Sequence, residues 1–355
     1  MTDQELKQYC GAVTVPDREI MDAARRRQAE LAKPPGSLGK LEDYSIRLAG
    51  ITGQVRPHIE KCRVLVLAAD NGVTAEGISS APTSVTLSQV INMTRHKTGM
   101  SALAHYFGNE VVVADMGIDT DRPIPGVLDR KVRRSTGNIA REPAMTRQQA
   151  LHALETGMEL AAQAAADGVQ ALGIGEMGIG NTTTSSAVAS VLLGRPVAEM
   201  TGRGAGLSDA GLQRKIDAIE RGIARNHPDA ADPLGVLAAL GGFDIAGLCG
   251  VFLGGALERL PIVMDGFISG VAALCAVRLC PAAEKAVFAS HVSSEPAAHI
   301  VLGALCKKPL ITAELHLGEG TGAVASLPLW DMALAVYNGC YSFAEGGITP
   351  YTPQC

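Results

Sequence analysis

Five short apolar runs punctuate this chain, and none of them alternates with polar positions. They are RVLVLAAD (63–70), EVVVAD (110–115), VQALG (169–173), PIVMD (261–265) and KAVFAS (285–290). A run that is apolar at consecutive positions reads as a strand buried on both faces, as in a parallel sheet covered by helices. Helical patterns lie between the runs. Thr146 and Gln149 form a T-x-x-Q capping box, and Leu151, Leu154, Met158 and Ala161 follow on one face. Ser208 reads as the cap of a second helix with the stripe Leu212, Ile216, Ile219 and Ile223, and Lys215 lies just off it. Strands alternating with helices predict an α/β fold, a Rossmann-like parallel sheet flanked by helices, with ligands at the carboxyl ends of the strands. The first ~60 and last ~40 residues read as helical or irregular, packed at one edge.

Composition narrows the function. Of 355 residues, 47% are hydrophobic and 40 are glycine, which suits close helix–sheet packing and glycine-rich loops. At this length one large domain with an appendage, or two domains, is expected. Only 4% are aromatic and the net charge is -5, so a nucleic-acid surface of stacked bases and basic side chains is not expected. The start, MTDQELKQYC, lacks a basic patch followed by an apolar stretch, and predicts no signal peptide. Residues 237–257 are apolar enough to suggest a membrane span, but Asp244 lies within them. A mid-bilayer carboxylate costs about 2.5–3.5 kcal/mol on insertion scales, so a buried core helix is expected. The 8 cysteines are scattered, which fits reduced thiols of a cytoplasmic protein and no metal site.

Gly173-Ile174-Gly175-Glu176-Met177-Gly178 spells G-x-G-x-x-G after a strand, with Glu199 about 20 residues on, as a dinucleotide fingerprint would have. Two features point elsewhere. Glu176 inside the turn would repel a pyrophosphate. Gly178-Ile179-Gly180-Asn181-Thr182-Thr183 then supplies a second glycine bend and hydroxyls where a helix begins, a seat for a single phosphate. Three readings stay open: a mononucleotide phosphate seat, a dinucleotide site of an NAD-dependent oxidoreductase, and a plain turn with a Thr N-cap.

Leu317-Gly318-Glu319-Gly320 sets a carboxylate between glycines in a segment otherwise free of charge. Glycine admits unusual backbone angles. A Glu so placed can be aimed into a cleft and desolvated into a general base, or it can be an exposed turn residue. Asp265-Gly266 and Asp70-Asn71-Gly72 end predicted strands, where ligand contacts fall. His291, beside Ser290, Ser293 and Ser294, reads as a hydrogen-bonded structural residue more readily than as a catalyst. Lys215 could reach a phosphate or only solvent.

Together these segments resemble the nicotinate-nucleotide:dimethylbenzimidazole phosphoribosyltransferase (CobT) family over nearly the whole chain. Lys33-Pro34-Pro35-Gly36-Ser37-Leu38-Gly39, Asn92-Met93-Thr94, Gly117-Ile118-Asp119 and Thr136-Gly137-Asn138-Ile139 carry the likeness. So do Gly175-Glu176-Met177-Gly178 with Asn181-Thr182-Thr183, Gly241-Gly242-Phe243-Asp244, Met264-Asp265-Gly266-Phe267 and Leu317-Gly318-Glu319-Gly320. The resemblance implies transfer of phosphoribose from nicotinate mononucleotide to an aromatic base, giving the α-ribotide of cobamides and releasing nicotinate, with no cofactor. A non-catalytic nucleotide-binding subunit is the other alternative. The resemblance makes Glu319 the catalytic base. It assigns the phosphate and nucleotide to Glu176, Gly178, Ile179, Gly180, Asn181, Thr182, Thr183, Lys215, Asp265, Gly266, Ser293, Gly318 and Gly320. It assigns the aromatic base to Ala81, Gln89, Met177 and Leu317. It further implies a homodimer, a large α/β domain over residues 61–315, and a small helical domain from residues 1–60 and 316–355. Three positions depart from the family pattern: Asn71 for His, Ala81 for a polar side chain, and Met177 for Leu. The more apolar lining predicts a base range wider than dimethylbenzimidazole, extending to purines or phenols.

Overall fold

The computed structural model describes residues 1–351. Six strands form one sheet: β1 (Cys62–Ala69), β2 (Glu110–Gly117), β3 (Leu128–Asp129), β4 (Ala171–Met177), β5 (Ile262–Met264) and β6 (Val287–Ala289). Their order is β3-β2-β1-β4-β5-β6, and every pairing is parallel. This is a doubly wound order in which the winding reverses between β1 and β4, opening a crevice at their carboxyl ends. The register sets Ala68 opposite Met177, so both strands deliver their following loops to that crevice.

All five expected strands are present, and the short exposed β3 escaped the apolar signal. One expectation needs correction. The run at 169–173 is part of a strand that continues to Met177. Gly173, Gly175 and Glu176 therefore belong to β4, and none of them sits in a turn. The glycines serve packing. A Cβ on Gly175 would stand 2.1 Å from the Glu319 carbonyl oxygen, and one on Gly173 would touch Ala323. They allow the segment around Glu319 to lie flat on the strand.

The apolar stretch at 237–257 is also corrected. It forms parts of two helices, Pro233–Leu240 and Phe243–Leu257, separated at Gly241 and Gly242. The second packs on the helix Arg147–Ala166, which the expected Thr146–Gln149 capping box opens. The two backbones nearly touch: a Cβ on Gly157 would stand 1.9 Å from Gly247 O, and one on Gly250 1.9 Å from Leu154 O. The glycine content is thus spent on helix–helix approach as well as on loops. No helix among the described residues is long and apolar enough to cross a membrane.

Helices from the N-terminal and C-terminal parts of the chain meet on the other face of the sheet. Tyr44 and Leu48 of the helix Lys40–Thr52 and Trp330 of the helix Thr321–Gly339 cover Val263 and Phe288. Tyr337 Oη donates to Val55 O at 2.6 Å, and Phe343 N donates to Glu30 O at 2.9 Å. The first helix, Asp3–Ala12, goes elsewhere: its Leu6 joins the core that contains Met158 and Leu253.

Candidate active site

The loops after β1, β4, β5 and β6 converge on one cleft of about 270 Å³. Its outer wall is the glycine-flanked turn before the helix Thr321–Gly339. Gly318, Glu319 and Gly320 all have positive φ, +81°, +64° and +98°. For Glu319 this left-handed geometry costs of order 1–3 kcal/mol and persists only where the surroundings impose it. Asp265 imposes it here. Its Oδ2 accepts from Gly320 N at 3.0 Å and its Oδ1 from Gly322 N at 2.7 Å. The His291 ring stands 3.8 Å from Asp265 and its Nδ1 lies 3.0 Å from Ser290 Oγ, so His291 braces the turn from below.

The Glu319 side chain points inward and is only 5% exposed. Gln89 Nε2 donates to its Oε1 at 3.0 Å, and Oε2 is buried without a partner. Burial raises the pKa, and the nearby polar groups of Thr98, Met100 and Gln89 work against that rise. The strand beneath brings a second acid. Glu176 is buried, and a Cβ on Gly318 would stand 3.1 Å from its Oε1. Burial, with the nearby Asp244 carboxyl, pushes its pKa up to about 8. Asn181 Nδ2 donates to Glu176 and, at 2.9 Å, to Asp244 Oδ2. Among the described residues neither Glu176, Asp244 nor Glu319 meets a Lys, Arg or His. These carboxyls therefore stand ready for a positively charged ligand or retain protons without one.

Opposite them lies a seat of contrary sign. The helix Asn181–Leu193 begins after Gly180 (φ +96°), and no side chain caps it. An uncapped helix N-terminus binds anions. Lys215 reaches this point from the helix Asp209–Asn226, which Ser208 caps as expected. Its Nζ donates to Thr182 Oγ1 at 2.8 Å and Gly202 O at 3.0 Å. Lys215 is 1% exposed, and burial pulls its pKa down to about 8. The buried face of that helix is Gly211, Lys215, Ala218, Ile219 and Gly222. The stripe expected from Leu212, Ile216 and Ile223 is only half-buried, so the lysine occupies the interior face instead of solvent.

Most of the expected site residues meet at this cleft. Glu176, Gly178, Ile179, Gly180, Asn181 and Thr182 line it, as do Lys215, Asp265, Gly266 and Ser293. Gln89, Met177, Leu317, Gly318 and Glu319 complete the wall. Thr183 and Gly320 lie behind it: Thr183 is fully buried, and Gly320 is tied to Asp265. Asn181 turns its side chain away from the helix N-terminus toward the two carboxyls. Ala81 is displaced. It borders a neighbouring depression with Asp70 and Asp119, while the adjacent Ser80 lines the cleft. The cleft therefore keeps a hydroxyl that the sequence reading had removed.

Sequence reasoning passed over Glu295, whose Oε1 accepts from Gly204 N at 3.1 Å and whose charge faces Lys215. Its only signal was its place just after β6. Among the described residues no group of three His, Cys, Asp or Glu side chains converges as metal ligands would.

The doubly wound sheet, the anion seat and the buried carboxyls at its switch point define an α/β enzyme of nucleotide chemistry. The comparisons specify it further. A phosphoribosyltransferase family model matches residues 13–348, and the chain belongs to that family. It is 48% identical to the nicotinate-nucleotide–dimethylbenzimidazole phosphoribosyltransferase of Acetivibrio thermocellus, over 95% of this chain and 96% of that one. With the enzyme of the same name from Chloroflexus aggregans the identity is 47%, over 94% and 95%. The crystal structure of CobT from Thermus thermophilus superposes with a TM-score of 0.90 at 41% identity, covering 94% of this chain and all of the other. Nothing in this geometry favours the dinucleotide reading of Gly173–Gly178, whose first two glycines are strand residues.

Proposed function

We propose that the cleft moves the phosphoribosyl group of nicotinate mononucleotide onto an aromatic base such as 5,6-dimethylbenzimidazole. Nicotinate leaves, and the α-ribotide used in cobamide nucleotide-loop assembly forms. The names of the relatives support this reading. The observation that carries it is the buried, half-unpartnered Glu319 carboxyl sharing one cleft with the Lys215–Thr182 seat.

The chemistry needs little else. The nicotinate ring nitrogen is already cationic in the nucleotide. When its bond to C1 of the ribose breaks, the electron pair returns to the ring and neutralises it, so no acid is required. The incoming base attacks C1 through its unprotonated ring nitrogen, and the proton on its other ring nitrogen passes to Glu319. A carboxyl with a raised pKa suits that transfer. Gln89 orients the carboxyl through Oε1 and leaves Oε2 for the proton. Positive charge gathers on C1 as the bond breaks, and Glu176 and Asp265 favour it electrostatically. Lys215, Thr182 and the first turn of the helix Asn181–Leu193 take the 5′-phosphate. Met177, Gln89, Ser80 and Leu317 face the aromatic base.

The enzyme works as a cytoplasmic homodimer in this reading. Met332 and Val336, one turn apart on the helix Thr321–Gly339, are 57% and 36% exposed. Such an apolar strip suits contact with a second copy, which sedimentation would detect. The decisive assay mixes the protein with nicotinate mononucleotide and dimethylbenzimidazole and identifies the products. Free nicotinate and an α-ribotide are expected, and absence of nicotinate release refutes the reading. Repeating the assay with a purine and a phenol defines the base range.

A further inference from the structure

Gly241-Gly242-Phe243-Asp244 stood out in the sequence without acquiring a role. In the structure Gly242 caps the helix Phe243–Leu257, and Asp244 lies in its first turn with no exposed surface. The carboxyl sits beneath the loop after β4. A Cβ on Gly178 would stand 3.1 Å from Asp244 Oδ2, and one on Gly242 2.3 Å from Oδ1. Two glycines thus make room for this one side chain. Among the described residues Asp244 Oδ1 has no hydrogen-bond partner, an arrangement costly enough to need a reason. Oδ2 accepts from Asn181 Nδ2 at 2.9 Å, and the same nitrogen donates to Glu176 Oε2. An amide nitrogen carries two hydrogens, so each carboxyl can take one.

We propose that Asp244 is a positioning residue: through the Asn181 amide it holds the Glu176 carboxyl against the cleft in register with the phosphate seat. The inference rests on the proposed transfer reaction. Asn181 is the first residue of the helix whose N-terminus forms that seat, so the bridge fixes the carboxyl relative to the phosphate. Asp244 touches no substrate.

The groups facing this pair are few. Asp70 comes from the loop after β1, Asp265 from the loop after β5, and Glu319 from the glycine turn. Arg133 lies over the ring of Phe243, 5.9 Å from its centre, at the start of this helix. Burial pushes Asp244 up to about 7, and the Asp244 charge adds to the rise at Glu176. Replacing Asp244 by a neutral isostere removes that repulsion and lets Glu176 ionise at lower pH. Removing the Asn181 donor acts in the opposite sense.

The test measures kcat, KM for nicotinate mononucleotide and the pH profile of kcat/KM. The Glu176→Gln variant first identifies the limb of the profile that belongs to Glu176. Asp244→Asn is expected to move that limb to lower pH, a change that loss of packing alone does not cause. Asp244→Ala is expected to lower kcat/KM by up to roughly 100-fold, the effect of a misplaced group. Its loss and that of Asn181→Ala should overlap instead of adding, because both cut the same bridge. An unmoved limb in folded Asp244→Asn, or additive losses, overturns the proposal. If the Asp244 variants do not fold, Asn181→Ala decides: the limb should move to higher pH, and a stationary limb refutes the bridge. Wild-type protein that releases no nicotinate sinks the reaction itself, a result distinct from either.

Discussion

Lys215 on one side of the cleft and Glu176 on the other are both stripped of water, yet the fold treats them differently. Lys215 donates to Thr182 Oγ1 and Gly202 O and has the Glu295 charge nearby. It is held inside the fold beside the uncapped N-terminus of the helix Asn181–Leu193. Asn181 donates to both Glu176 and Asp244 and Gln89 donates to Glu319, and among the described residues none of the three carboxyls pairs with a cation. Burial pulls the lysine down and pushes the acids up, toward about 8 for both Lys215 and Glu176. Each side is costly alone, and in the proposed reaction one side would face the phosphate of the nucleotide and the other its pyridinium ring. The difference teaches that one cleft keeps a buried amine and a set of buried acids apart, each braced by its own neutral donors and acceptors.

The sharpest way to break this contrast is to neutralise the base. Glu319→Gln should lower kcat by roughly 10²–10⁴-fold, the range of general-base catalysis. Nucleotide binding by calorimetry should persist, because the phosphate seat is untouched. Retained turnover would remove Glu319 from the chemistry.

Lys215→Met attacks the other side. Hydrogen bonds to charged groups contribute about 1.5–3 kcal/mol, so KM for the nucleotide should rise roughly 10- to 100-fold with a smaller change in kcat. A loss confined to kcat would contradict the assignment of this seat to phosphate.

A third test needs no substrate. Glu176 ionises near pH 4.5 when unfolded and near 8 when folded. Its folded pKa is raised, so its contribution to stability is fully present below 4.5 and lost as pH rises through about 8. The melting temperature of the free protein should fall across that window. Glu176→Gln should flatten the slope, and saturating nucleotide should reduce it. A melting temperature that rises steadily between pH 5 and 8 would show that the acids are not held protonated.

The smallest expected effect concerns the aromatic base. Ala81→Ser should change neither turnover nor base preference by more than about two-fold, since changes away from a site are near neutral. Ser80→Ala should alter preference among bases. The reverse outcome would return Ala81 to the cleft.

Much of this was legible beforehand. The runs at 63–70, 110–115, 261–265 and 285–290 gave the sheet because consecutive apolar residues are tolerated only where both faces are covered. Glu319 between glycines, and the hydroxyls after Gly180, marked both sides of the cleft. Errors arose where local pattern and long-range packing disagreed. The pattern after Gly173 reads as a turn, although Gly175 and Glu176 are strand residues and Gly175 is kept small by a segment more than 140 positions away. Lys215 was set off the buried stripe, although Thr182 and Gly202 receive it inside. Ser80 lines the cleft and Ala81 the neighbouring depression, because one residue of offset in an irregular loop leaves no trace in composition.

The sequence by itself determined the parallel sheet, its helical cover and the chemical types gathered at strand ends, because periodicity and glycine placement act locally. Only the tertiary structure decided which carboxyls lose their water, and which of them share the Asn181 amide. Burial and hydrogen-bond partnership depend on residues far apart in the chain: Gln89 lies 230 positions from Glu319, and Asn181 lies 63 from Asp244. Proton affinity follows those partners, and so it is fixed only when the chain has closed around them.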